Sequence, residues 1–202
     1  MASEPFKRIA LLDLETDGFH PRVNNILEVG LVIVEVATLQ DIYAHRGLVR
    51  QPWIGATLWS PLADAQCREI HTKSGLWAHL NDAQLQLQSI EDIERDLLFA
   101  LHTRQCTFMG GHSPSFDRAF IHEKMPTLDH YLSHRMLDVS TLRELWKSWC
   151  SEVPPASQDA THFRHRALED CMTCLEELKF YRKYLYDGSG RQAFFDGVGR
   201  DL

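Results

Sequence analysis

Two carboxylates close the first apolar run of the chain: Asp13 and Glu15 stand in DLET, directly after Ile9 to Leu12. On a strand, residues two apart point to one face, with Cα atoms about 6.5–7 Å apart. Like charges at the end of a core-type strand resist burial unless a cation lies between them. A solvated surface pair is the alternative, and the spacing alone leaves both open. Asp117, in GHSPSFDRAF, falls where a short strand gives way to a helix. It can be a third acidic ligand or a helix-start aspartate stabilised by the dipole. HRALED combines a loop histidine, His165, with a carboxylate, Asp170, in the first turn of a helix, a pairing that two surface residues would show equally well. Carboxylate oxygens are hard ligands that favour Mg²⁺ or Mn²⁺ over zinc.

These side chains need a scaffold, and the apolar pattern supplies one. Lys7 to Leu14 and Ile26 to Val36 are strand-length runs, joined by the turn-rich TDGFHPRVNN, and Asp41 to Val49 adds a third strand. From Trp53 to Leu80 the pattern is least periodic and is read as loop with short helices. Ser89 with Asp92 makes a capping-box start for a helix whose stripe is Ile90, Ile93, Leu97, Leu98 and Leu101. A short strand over Thr107 to Gly110 precedes a helix from about Phe116 to Lys124, ended by Pro126. Ser140 opens the next helix, carrying Leu142, Leu145, Trp146 and Trp149. Ser151 to Thr161 is a polar, Pro-containing loop, and Ala167 to Tyr186 a long amphipathic helix. Strands first and helices after is the order of an α+β (α/β) sheet domain. One domain is expected over residues 1–186. The Gly-rich tail of 187–202 is then mobile or packed on a partner.

Composition sets the outer bounds. With 202 residues, 44% hydrophobic and 24% charged, the chain can bury one sizeable core. It has no apolar run near the roughly eighteen residues of a membrane span. The N-terminal MASEPFKR lacks the apolar centre of a signal peptide, so the expected location is intracellular, in the cytoplasm. Five cysteines, an odd number, argue against a disulfide framework. The net charge of −7 does not suit a long phosphate backbone held on a basic face. A nucleic-acid substrate should be short, or gripped at one end with cations offsetting its charge.

The order Asp-x-Glu, middle Asp and late His-x4-Asp, from residue 13 to residue 170, resembles the DEDDh exonucleases. DLETDG, ILEVG and HRALEDC are similar to that family's words, and HTKSGL (71–76) and HRMLDVSTLREL (134–145) resemble oligoribonucleases. The likeness runs from Ile9 to about Leu185. It implies an RNase H-like mixed β-sheet flanked by α-helices and a metal-dependent 3′→5′ exonuclease releasing 5′ mononucleotides. Asp13, Glu15, Asp117 and Asp170 would hold two divalent cations, Mg²⁺ or Mn²⁺, with His165 as general base. Ser113, Arg135 and Ser140 would cap the 5′ phosphate of a short RNA or DNA oligonucleotide, typically an RNA dinucleotide. Phe19 would wedge between bases and His71 would lie near the scissile end. The resemblance also implies a homodimer. Two positions depart from the pattern. Gln66 stands where the family has a tryptophan, with Trp59 a substitute only if the loop is rerouted, and His134 stands for a tyrosine that reaches the partner subunit. Both leave dinucleotide selection, and RNA over DNA, open. A competing exonuclease reading takes single-stranded DNA or longer RNA. A zinc-organised binding protein, using His162, His165, Cys171 and Cys174, leaves DLET unexplained. An inactive binder is opposed by five filled catalytic positions.

Overall fold

The two most apolar stretches pair with each other at the centre of one sheet. Arg8–Thr16 (β1) and Ile26–Glu35 (β2) run antiparallel, with Asp13 opposite Gly30 and Glu15 opposite Glu28. Gln40–Leu48 (β3) pairs antiparallel with β2, and Met109–Gly111 (β4) pairs parallel with β1. Met136–Asp138 (β5) completes the five-stranded order β3-β2-β1-β4-β5. β1 and β2 read as unbroken apolar runs because helices cover both of their faces. The computed structural model describes residues 5–52, 60, 62–149 and 164–186. Trp59, His162, most of the loop after Trp53, the 151–161 loop and the tail from 187 lie outside them.

Alternation along β1 divides the core. Ala10, Leu12 and Leu14 face a cluster with Ile93, Leu97, Leu101, Phe120 and Leu128. Those residues come from Ile90–Thr103 (α3), Pro114–Lys124 (α4) and Pro126–Tyr131 (α5). Ile9 and Leu11 face Val139, Trp146, Cys171, Leu175 and Tyr181 on the other side. These belong to Val139–Trp149 (α6) and Ala167–Tyr186 (α7). The segment read as loop with short helices holds Ala65–Lys73 (α1) and Leu76–Leu80 (α2). Ser89 caps α3 as expected: its hydroxyl accepts from the Asp92 amide at 3.1 Å and bonds the Asp92 carboxylate at 2.8 Å.

The helix expected to open at Ser140 begins one residue earlier, and two boundaries differ at prolines. α4 begins at Pro114 rather than near Phe116, because proline at the first helical position sacrifices an amide that has no partner anyway. Pro126 does end α4, but by the same logic it opens α5, which sequence periodicity did not reveal.

Candidate active site

The odd-numbered row of β1 continues past Leu11 into Asp13 and Glu15, so both carboxylates point towards α7. α7 can come close because Gly30 lies beside Asp13 on the neighbouring strand. A Cβ at Gly30 would sit 2.3 Å from the Ala167 carbonyl carbon and 2.6 Å from the Leu168 amide nitrogen. Both are backbone atoms that cannot swing aside. The start of α7 therefore rests on the sheet, and Asp170, in its first turn, meets the β1 carboxylates. Glu15, Asp170 and His165 each offer a ligand atom within 4.8 Å of the others. Asp117 arrives from α4, where its Oδ1 accepts a hydrogen bond from the Leu14 amide at 2.9 Å.

Glu15, Asp117 and Asp170 are buried and Asp13 half-buried, so their charges are poorly hydrated. Burial, then repulsion from Asp117, Glu15, Asp170 and Glu28, holds the Asp13 carboxyl far above its ordinary range. Burial, followed by Asp170, Glu28 and Asp117, does the same to Glu15, with Arg166 opposing. Burial pushes Asp117 up to about 8 against the hydrogen bond from Leu14. Asp170 is raised by burial, countered by hydrogen bonds from the Arg164 amide and by His165. Such a group of mutually repelling, convergent oxygen donors is what bound divalent cations would relieve, and its hard ligands suit Mg²⁺ or Mn²⁺.

The supports include residues that the sequence pattern did not single out. Glu28, fully buried on β2, takes Arg166 through two bonds of 3.1 and 2.9 Å. Its Oε2 also accepts from the Ala167 amide at 3.0 Å, capping the free end of α7 from another strand. Arg46 of β3 lies 3.3 Å from Glu28, and His79 of α2 lies 3.0 Å from Arg166. His165 is thereby placed between an anchored arginine and Arg164, whose amide donates to Asp170 at 3.0 Å. The histidine itself is exposed and adopts a left-handed φ of 51°. In the sequence, Glu28 and Arg166 show only as charged residues inside family-like words.

The remaining anticipated residues fall in three places. Phe19 is exposed and meets Phe116 edge-on at 6.4 Å, on a loop held by Asp17, which accepts from the Asn25 amide at 2.6 Å and its side chain at 2.8 Å. His71 is buried: Nε2 lies 2.7 Å from the Thr16 carbonyl and Nδ1 3.6 Å from Glu15. It braces the end of β1, and burial lowers its proton affinity. Ser113 and Ser140 meet, their hydroxyls 3.3 Å apart, and the exposed Arg135 lies just before β5. Gln66 and His134 are both exposed. The zinc reading is not supported. Cys171 donates to the Leu11 carbonyl at 3.4 Å and Cys174 is buried beside it in the core. Among the described residues, the grouping that could hold a metal contains no cysteine.

Comparison with known proteins shows the family and the fold. The profile of the exonuclease family typified by RNase T matches residues 11–178. An oligoribonuclease of Nitrosomonas europaea is 32% identical over 182 residues, covering 87% of this chain and 94% of its own. That of Mycobacterium leprae is 36% identical over 180 residues, covering 85% and 78%. Among solved structures, E. coli Exonuclease I in complex with a 5cy-dT13 oligonucleotide superposes with a TM-score of 0.65 at 12% identity. The match takes in 94% of this chain and 42% of that one, a likeness of fold over about two fifths of the larger protein.

Proposed function

The chain belongs to the oligoribonuclease branch of the RNase T exonuclease family, and we propose that it hydrolyses short oligonucleotides from the 3′ end, releasing nucleoside 5′-monophosphates. One observation carries this reading: four carboxylates from β1, α4 and α7 converge, with a histidine held beside them on a strained loop.

Asp13, Glu15, Asp117 and Asp170 would hold divalent cations, and we favour Mg²⁺ or Mn²⁺ because every donor is a carboxylate oxygen. When bound, such ions neutralise charge on the scissile phosphate and make a water molecule acidic enough to attack it. His165, exposed and next to Glu15 and Asp170, accepts the proton of that water as its oxygen attacks phosphorus. The bond from phosphorus to the 3′ oxygen of the preceding nucleotide breaks, and that oxygen takes a proton from solvent. Phe19, backed by Phe116, offers an exposed ring to wedge between bases. His71 keeps Glu15 and the end of β1 in place beside the scissile end. Ser113, Ser140 and Arg135 would receive the 5′ phosphate, for which an arginine fork is suited.

The test is degradation of matched 5′-phosphorylated RNA and DNA oligomers of two to seven nucleotides. Hydrolysis should stop in excess EDTA and return with Mn²⁺ or Mg²⁺. Undiminished cleavage under chelation would refute the metal-dependent mechanism. In the same assay Arg135→Ala should slow the dinucleotide about ten- to a hundredfold, the worth of one charge-assisted contact, and slow the heptanucleotide less. Equal slowing of both would remove Arg135 from the cap. A second reading, action on single-stranded DNA or longer RNA, is favoured by Gln66, which offers no stacking ring on α1. It predicts faster turnover of the heptamers from the outset. A homodimer is proposed from the branch, and sedimentation should give about twice the 23.3 kDa of one chain.

A further inference from the structure

The two elements that carry the proposed cap share one buried anchor. Ser113 enters α4 with a left-handed φ of 49°, and its amide donates to Asp138 Oδ1 and Ser140 Oγ, each at 3.1 Å. His112 precedes it in the chain, and Arg143 lies one helical turn beyond Ser140. Both reach Glu177 of α7. His112 Nε2 lies 2.7 Å from Oε2, and Arg143 places Nε 2.8 Å from Oε1 and Nη2 2.5 Å from Oε2. Tyr181 donates its hydroxyl at 2.6 Å. His112 Nε2 also lies 2.9 Å from Arg143 Nη2, so imidazole, guanidinium and carboxylate form one closed cluster.

Glu177 is 1% exposed. Burial pushes its proton affinity up, but Arg143, His112 and Tyr181 outweigh it and bring the carboxyl down to about 2. A buried, saturated ion pair seldom improves on apolar packing for stability, and its advantage lies in geometry. Here that geometry joins two sites. Glu177 follows Asp170 by two turns on the same face of one helix, about 10 Å along its axis. Trp146 clamps α6 to the same helix, packing 5.3 Å from Phe180 and 5.8 Å from Tyr181.

We propose that Glu177 is a specificity-positioning residue, which fixes the Ser113–Ser140 cap at a set distance from the metal-site end of α7 and so makes that helix a ruler for substrate length. This rests on the cap reading above. The experiment measures rates on two- and seven-nucleotide RNA for the parent, Arg135→Ala, Glu177→Gln and the double variant Glu177→Gln/Arg143→Gln. The double variant removes both charges, so it tests the same coupling if Glu177→Gln alone unfolds for want of a counter-ion to Arg143. The expected result is a two-to-seven rate ratio lowered about tenfold in Arg135→Ala and by a comparable factor in the Glu177 variants. Their metal concentration for half-maximal rate should match the parent. If Arg135→Ala compresses the ratio and the Glu177 variants leave it at the parental value, the ruler is overturned while the cap stands. Equal slowing of both substrates in the Glu177 variants overturns it too, since a merely structural role acts on all lengths alike. An unchanged ratio in Arg135→Ala defeats the cap reading, and the ruler with it.

Discussion

His165 combines exposure with a backbone conformation that non-glycine residues seldom adopt. The strain is tolerated because Arg166 on one side and Arg164 on the other are fixed by Glu28 and Asp170. If the ring is the proton acceptor, His165→Ala should lower turnover about 10²- to 10⁴-fold. Metal affinity, followed by titration calorimetry, should hardly change; a large loss would recast the histidine as a ligand. The carboxylates make a separate prediction about pH. Asp117, raised from an ordinary 3.8 to about 8, binds its proton more tightly folded than unfolded. Its contribution to stability is complete below 3.8 and is lost as pH rises through 8. Asp13 and Glu15 act in the same direction. His71 and His45, whose proton affinities burial lowers, oppose this trend only below their ordinary 6.5. In EDTA, the melting temperature should therefore fall between about pH 6.5 and 8, and Mn²⁺ should restore it most at the upper end. A flat profile in EDTA would show that these carboxylates do not gain proton affinity on folding.

At the scale of elements, the site depends on how closely the start of α7 approaches the sheet. Gly30→Ala places a methyl group against the Ala167 carbonyl, which must move together with the helix. Overpacking of this kind costs about 1–3 kcal/mol, and the accompanying shift of Asp170 should weaken metal binding. Urea unfolding together with metal titration measures both, and a variant with parental metal affinity would mean that α7 can dock without this contact. The Glu28–Arg166 pair is the second fastening. Removing one partner of a buried pair costs about 3–5 kcal/mol, so Arg166→Met should be strongly destabilising. Arg46, 3.3 Å from Glu28, still faces the buried carboxylate in that variant, so adding Glu28→Gln in urea unfolding should recover part of the loss only if Arg46 alone does not compensate it.

Across the whole molecule, a net charge of −7 leaves little electrostatic attraction for a long strand. Each phosphate neutralised by a basic residue adds about −0.7 to the slope of log affinity against log salt for single strands. A cap with one arginine therefore predicts a slope of about −1 at constant Mn²⁺, measured on a catalytically silent complex. A slope steeper than about −3 would reveal a basic path along the backbone and favour longer substrates. Among the described residues no helix is long and apolar enough to cross a membrane.

What neighbouring residues encode was legible in the sequence. Alternation placed Asp13 and Glu15 on one face of β1, the Ser89–Asp92 pair marked the start of α3, and apolar spacing delimited α7 at Ala167 and Tyr186. Each of these rests on steric and hydrogen-bonding preferences that act within a turn or a strand. Pro126 was half legible, since it stops one helix and starts another by the same missing amide. The partners of buried charges were not legible. Glu28 finds Arg166 across 138 residues, Asp117 reaches Leu14 across 103, and Glu177 gathers His112 from 65 residues away. A glutamate in a strand or helix has the same local signature whether it faces water or an arginine. Only the packing of α7 onto Gly30, which excludes solvent and brings distant segments together, decides which charge is buried and what must pair with it.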